Sequence, residues 1–505
     1  MPGRLEFGVQ FGSSRKTSSG LRDESAPLRI LVMGDFSGRR TRSGSDPTTL
    51  GRRSISRIDI DDFDKVLKRI APAVEFGDGT TATFAELGDF HPDRLCRSLS
   101  AFSALRDLRR RIGDPATFEA AAAELSQVGL QPPVDRDQSG ADPNAGTAPG
   151  ETGEATLERL LGAGSAAQPS GSPRYVGSRT GIDSLIRQIV APHIDPSAPV
   201  SPSPYLNAID LALAERMRAV LHSRDFQALE AGWRGLRWLV ESLDLDHAAR
   251  LSLVDISREE LLADAEEARD SPRESFVYGL VTGGAGQRNG ESPWSLIIGN
   301  YEFGNSEAEV IALRLMGAVA ADSGAAFIAA ATVSDPASPD ARETAGNEHW
   351  HMLRTSEVAP HIGLALPRIL SRLPYGARTD PIDEFDFEEL GACSSHESFL
   401  WGNPAFGCAL LIGLDFMSEG WNMVAGRNLT IEDLPAYCFE QQGESQLLPC
   451  SEVPLTQRMV DTLLDSGLMP FLGYANRNAV RLMRIQSIAD PIQALAGPWR
   501  LDVAR

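Results

Sequence analysis

The stretch LRILVMGDFSGRR, Leu28 to Arg40, decides how the rest of the chain is read. An apolar run broken only by Arg29 ends at Gly34, and Gly38 follows before Arg39 and Arg40. The run reads as a buried strand. The segment after it forms either a loop that cradles phosphate or an ordinary tight turn. A phosphate loop takes the form G-x-x-x-x-G-K-[ST], in which backbone N–H groups wrap the phosphates, the lysine reaches them and the hydroxyl holds magnesium. Here only three residues separate the glycines, and Arg39 and Arg40 stand where Lys and Ser or Thr are required. The dinucleotide fingerprint G-x-G-x-x-G fails as well, because Phe36 takes the place of its second glycine. A turn after a buried strand accounts for both glycines, since glycine accepts positive φ without steric cost.

Composition narrows the function further. Forty-eight basic and 69 acidic residues leave a net charge of −21 over 505 residues, which opposes binding to nucleic acid or to an anionic membrane surface. Arg39, Arg40, Arg42, Arg52 and Arg53 form a local basic run, read as a solvated loop. The five cysteines are widely spaced with no C-x-x-C, so neither a zinc ribbon nor a disulfide framework is indicated and a reducing cytoplasm is expected. The first residues show no signal-peptide pattern, and no apolar run approaches the ~20 residues of a membrane span.

Along the chain, LEFGVQF alternates so that Leu5, Phe7, Val9 and Phe11 share one face of a strand. That strand either pairs locally or adds to the sheet edge of a neighbouring subunit. Asp59 to Pro72 reads as a helix capped by Asp61 or Asp62, with Phe63, Val66, Leu67 and Ile70 as its apolar stripe. Leu95, Leu99, Phe102, Leu105, Leu108 and Ile112 then continue at helical spacing to Gly113. From about Gln131 to Ser172 the composition of Gly, Ala, Pro, Ser and Asp reads as a flexible linker. After it, Ile182, Leu185, Ile186 and Ile189 stripe a short amphipathic helix that docks either on its own domain or in a partner's groove. Two longer helices follow, the second striped by Phe226, Leu229, Trp233, Leu236 and Val240. Strands and helices then alternate through ARLSLVDIS, REELLADAEEA, SPWSLIIGNYEF, EAEVIALRLMGAVAADS and AAFIAAAT, which predicts a mostly parallel sheet covered by helices.

No catalytic constellation emerges. His349 and His351 would share a strand face, but H-E-x-x-H and a third ligand at fixed spacing are absent, and His361 and His396-Glu397 add no motif. His91 reads as a turn or capping residue. The nucleophile elbow G-x-S-x-G does not occur. Catalytic residues, a metal site and a cofactor are all expected to be none.

Several segments resemble the contractile-sheath proteins of the type VI secretion system. LRILVMGDFSGR, IDIDDFDKVLKRIAP, and GDFHPDRL followed by ALRDLRRRI are similar to the small sheath subunit, TssB or VipA. FQALEAGWRGLRWLV, LIIGNYEF, AAFIAAA, IGLALPRILSRLPYG, FLWGNPAF, SGLMPFL and RIQSIADP resemble the large subunit, TssC or VipB, with FQALEAGWRGLRWLV and LPRILSRLPYG the most specific. The resemblance implies a fusion of the two. A small-subunit-like domain is expected over 1–128, a linker over 129–175, and a large-subunit-like region over 176–505, in an α/β (α+β) fold with a mixed sheet. The large-subunit pattern usually continues beyond Gln486 to Pro491, so the C-terminal segment is expected to be truncated.

What the resemblance implies for function is structural rather than enzymatic. The chain would be a cytoplasmic sheath subunit that polymerises with other protomers around an inner tube of Hcp, meets baseplate components, and drives effectors outward on contraction. Neighbouring protomers of this family exchange strands, which gives Leu5, Phe7, Val9 and Phe11 a role. A ClpV-type AAA+ unfoldase grips a helix near the start of the large subunit, where Ile182, Leu185, Ile186 and Ile189 stand. The alternative is a sheath-associated capping or adaptor protein that never forms the full lattice.

Overall fold

The computed structural model describes residues 25–39, 47–122, 202–283, 292–332, 348–391, 396–441 and 444–499. Its main element is a nine-stranded mixed sheet. In chain order the strands are β1 (Leu28–Gly34), β2 (Ser56–Ile58), β3 (Ala249–Asp255), β4 (Leu296–Phe303), β5 (Ala326–Ala331), β6 (Ile362–Leu366), β7 (Thr430–Ile431), β8 (Met469–Gly473) and β9 (Val480–Leu482). Across the sheet they run β7-β9-β8-β6-β5-β4-β1-β3-β2. The six central strands, β8 to β3, are parallel, and β2, β9 and β7 add antiparallel margins. The α/β architecture is thus the one expected from the alternation of strands and helices.

The opening stretch is an interior strand of this sheet, third from the β2 edge. β1 pairs with β3 from Leu28↔Ala249 through Gly34↔Asp255, and with β4 from Ile30↔Leu296 to Met33↔Gly299. All seven of its residues are buried, as befits a parallel strand covered on both faces. Leu31 and Met33 join a core with Ile297, Phe327 and Leu364, while the alternating Ile30 and Val32 are buried on the opposite face. The charge of Arg29 is accommodated by stacking on Trp294, 4.1 Å from ring centre, and by donation to the Ser292 carbonyl. β1 and β2 come from the segment before the expected linker and the other seven strands from beyond it, so both segments build one sheet.

The helices follow from caps and stripes. α1 (Phe63–Ile70) buries Phe63, Val66 and Leu67. Asp62 stands at its N-cap position without a side-chain cap bond, and Asp59 instead accepts from the Asp62 N–H at 3.0 Å. The stripe expected to form one helix up to Gly113 divides into α2 (Pro92–Ser98) and α3 (Ser100–Gly113). The break falls at Leu99, a buried residue with extended backbone. After α4 (Pro202–Leu221) comes α5 (Arg224–Ser242), which starts where Ser223 accepts from Phe226 N. α6 (Arg258–Glu267) carries a capping box of Ser257 and Glu260, α7 (Phe276–Thr282) follows, and α8 (Glu307–Ser323) repeats the device with Ser306 and Glu309. α9 (Glu348–Arg354), α10 (Pro404–Glu419) and α11 (Gln457–Asp465) follow. No helix among the described residues is long and apolar enough to cross a membrane.

The described residues fall into two compact units, one drawn from Met1–Ser98 with Met217–Arg505 and the other from Leu99–Arg216. In the second, α3 buries Phe102, Leu105, Leu108 and Ile112. There Arg109 makes a two-pronged pair with Asp210 at 2.6 and 3.2 Å, and Phe118 meets Tyr205 edge-on. In the first, aromatic residues from both sequence segments share one core. Trp233 of α5 is fully buried against Phe36 and Phe63, and its indole N–H donates to the Phe36 carbonyl at 3.0 Å. Phe226 of the same helix meets Phe84 and Phe90.

Candidate functional site

The turn after β1 is a closed structure. The Phe36 and Ser37 N–H groups, which a phosphate loop would turn toward its ligand, both donate to one oxygen of Asp255, at 2.8 and 3.1 Å. The other Asp255 oxygen accepts from the Arg39 guanidinium at 2.6 Å. An internal carboxylate therefore occupies the anion position. Burial pushes the Asp255 carboxyl above its usual range, against the opposing pull of Arg39. Gly38 has φ +72°, and a Cβ there would collide with the Ala73 carbonyl, so its glycine is a requirement of the turn. Arg53 pairs with Glu260, which is fully buried. Arg39 and Arg53 are thus ion-paired members of the fold and not the solvated loop expected of them, because the acids that hold them lie more than 200 residues away, in β3 and α6.

Beside this turn lies a cleft of about 780 Å³ at the carboxyl ends of β1 and β4, the place where open α/β sheets receive ligands. Two of the three arginines that line it are already engaged. Arg258 is held by Glu309, and Arg368 by both oxygens of Glu452 at 2.6 and 2.8 Å. Tyr301, at its floor, donates to the Ile256 carbonyl at 2.8 Å, and burial raises its phenol well above the ordinary value.

The histidines are dispersed. His349 and His351 lie on α9, a helix, and not on a shared strand face. His361 contacts the Ala325 carbonyl at 2.7 Å, and His396 lies 3.8 Å from Glu452. His91 accepts from the Asp93 N–H at the start of α2 and sets its ring edge against Tyr375, the capping role expected for it. Among the described residues, Asp244, Asp246 and His247 form the one group whose ligand atoms converge as a metal would need. All three are exposed, and Asp244 serves there as a turn acceptor for the Asp246 and His247 N–H groups. Leu5, Phe7, Val9 and Phe11, and Ile182, Leu185, Ile186 and Ile189, lie outside the described residues.

The most heavily built polar site is a buried junction that the sequence reading did not single out. Arg372 donates to Glu230 of α5 at 2.8 Å and grips Glu389 through two bonds of 2.7 and 3.1 Å. Its guanidinium also stacks on Tyr375 at 4.2 Å. Glu230 and Glu389 are essentially fully buried, and Arg234 and His222 close the periphery at 2.7 Å from Glu230 and 3.6 Å from Glu389. Burial disfavours the charged Arg372, but the two carboxylates outweigh it and hold the guanidinium well above its usual value. Burial likewise opposes the Glu389 carboxylate, and Arg372, with the nearby His222 and the Tyr375 N–H hydrogen bond, carries it below the ordinary range. One signal was available: Glu230 lies four residues after Phe226 and three before Trp233, a charge placed inside an apolar stripe. The junction joins FQALEAGWRGLRWLV, which holds Glu230 and Arg234, to LPRILSRLPYG, which holds Arg372 and Tyr375.

Comparison with known proteins agrees with this architecture. Residues 204–489, more than half of the chain, match the family described as EvpB/VC_A0108, tail sheath N-terminal domain (VipB). Residues 14–117 match the family described as type VI secretion system, VipA, VC_A0107 or Hcp2. The type VI secretion system sheath protein TssC1 of Pseudomonas aeruginosa is 28% identical over 368 residues, covering 68% of this chain and 73% of that protein. With both families matched in one polypeptide whose segments share a sheet and a core, the chain belongs to the type VI secretion tail-sheath family and combines a small-subunit-type with a large-subunit-type sheath segment.

Proposed function

We propose that this sheath subunit is a structural, non-catalytic protomer that polymerises in the cytoplasm around an Hcp inner tube and drives effector translocation when the sheath contracts. The observation that carries this reading is the insertion of β1 between β3 and β4. A small-subunit segment that inserts a strand between two strands of the large segment makes one building block of the two, and a building block is what a lattice repeats. The occupied anion position at the strand-end turn supports a scaffold rather than a nucleotide enzyme. Within the same reading, Leu5, Phe7, Val9 and Phe11 form the strand exchanged between protomers. Ile182, Leu185, Ile186 and Ile189 form the helix that a ClpV-type unfoldase grips, and baseplate components bind the end of the sheath.

Electron microscopy of the full chain, alone and co-expressed with an Hcp-type tube protein and its genomic neighbours, tests the proposal. Tubes around an inner tube are expected. Persistent monomers under every condition would overturn it in favour of a capping or adaptor role. Replacing Leu185 and Ile186 with Asp is expected to abolish unfoldase binding; unchanged binding would dismiss that helix as the grip.

A further inference from the structure

Residues 371–391 contain no helix or strand, yet they are fastened in two very different ways. The neck of this Ω-type loop is closed in the interior. Arg372 and Glu389 pair through two bonds, the Glu389 carboxylate accepts from Tyr375 N–H at 2.8 Å, and Glu389 N–H donates back to the Tyr375 carbonyl at 2.9 Å. Beyond the neck, Phe385 and Phe387 are buried and Arg218 donates to the Glu388 carbonyl, so the return limb is anchored; the tip, which ends at Glu384, is fastened on α2 of the small-subunit-type segment. Asp383 and Glu384 N–H groups donate to the Asp93 carboxylate at 3.0 Å, and Arg97 pairs with Glu384. Arg97 is more than half exposed, so water competes for that pair, whereas the neck has no such competitor.

We propose that this loop is a clasp with a permanent neck and a releasable tip. The neck stays welded to α5 through Glu230 while the tip lets go of α2 and re-engages it. β1 remains locked in the sheet throughout, so release loosens the helical layer of the N-terminal segment without separating the segments. A subunit that must hold one arrangement and then tolerate another gains a local joint in this way, at a place where local opening is far cheaper than unfolding.

Native-state hydrogen exchange on the full chain tests this directly, since the Asp383 and Glu384 amides report the tip and the Tyr375 and Glu389 amides report the neck. The tip amides are expected to exchange by a route nearly independent of urea at low concentration, and the neck amides with the strand amides of β1. In Asp93→Asn, and independently in Arg97→Gln, tip exchange is expected to rise about tenfold with the neck unchanged. Tip amides that exchange only through the urea-dependent global route would overturn the clasp, and so would tip and neck accelerating together in both variants.

Discussion

Arg372 shows how much of this fold rests on one charge. Removing it leaves Glu230 and Glu389 buried and facing each other without a cation between them. Breaking a buried pair by deleting one partner typically costs about 3–5 kcal/mol, so Arg372→Met is expected to lower stability by that order in urea titration. A loss below about 1 kcal/mol would mean that water or Arg234 replaces the guanidinium. Lysine is not expected to rescue, because the planar fork meets two carboxylates at once. The same junction fixes a pH dependence. Glu389 has a depressed value in the folded state, so its contribution is present above the ordinary glutamate value of 4.5 and is lost as pH falls through the depressed one. Asp255, raised by burial, works with the opposite sign: its contribution is complete below the ordinary aspartate value and fades as pH rises through the raised one. Urea midpoints measured from pH 3 to 7 should therefore fall less steeply toward acid in Glu389→Gln than in the parent chain; parallel profiles would refute that assignment.

At the scale of elements, glycines decide how closely helices approach. Gly235 of α5 lies so near α10 that a Cβ would come within 2.6 Å of the Phe406 ring. An alanine in a helix is normally favoured over glycine by about 1 kcal/mol. Here the overlap should reverse the sign, and Gly235→Ala is expected to cost about 1–3 kcal/mol. Gly279 of α7 has open space around its Cβ position, so Gly279→Ala should stabilise by about 0.5–1 kcal/mol. Thermal or urea midpoints of the two variants check the pair, and equal signs would contradict it. Periodicity made most elements legible, since each central strand is an apolar run and Phe226, Leu229, Trp233, Leu236 and Val240 mark the buried side of α5. It failed at Leu99, where the apolar spacing runs on although the backbone becomes extended, because periodicity registers burial and not backbone direction.

At the scale of the molecule, covalent continuity and structural continuity differ. The two sheath segments share a sheet, a Trp233-centred aromatic core and the ion pairs of Arg39 and Arg53. A protease site inserted within residues 129–175 and cut in the folded full-length protein is therefore expected to give two pieces that elute together in native buffer and separate in urea. Separation in native buffer would show that the linker, and not the shared sheet, joins the segments.

The sequence alone pointed to the α/β class, the strand-and-turn reading of LRILVMGDFSGRR and the membership in a sheath family, because these depend on local patterns: apolar runs, loop spacing and colinear motifs. It also placed His91 correctly, since capping is a matter of neighbours in the chain. Only the tertiary structure decided that β1 inserts between two strands from beyond the linker, that Asp255 fills the anion position of the turn, and that Glu230, Arg372 and Glu389 meet in the interior. These are pairings between residues far apart in sequence. No pattern within either partner records them, because their energy arises only when folding removes both from water.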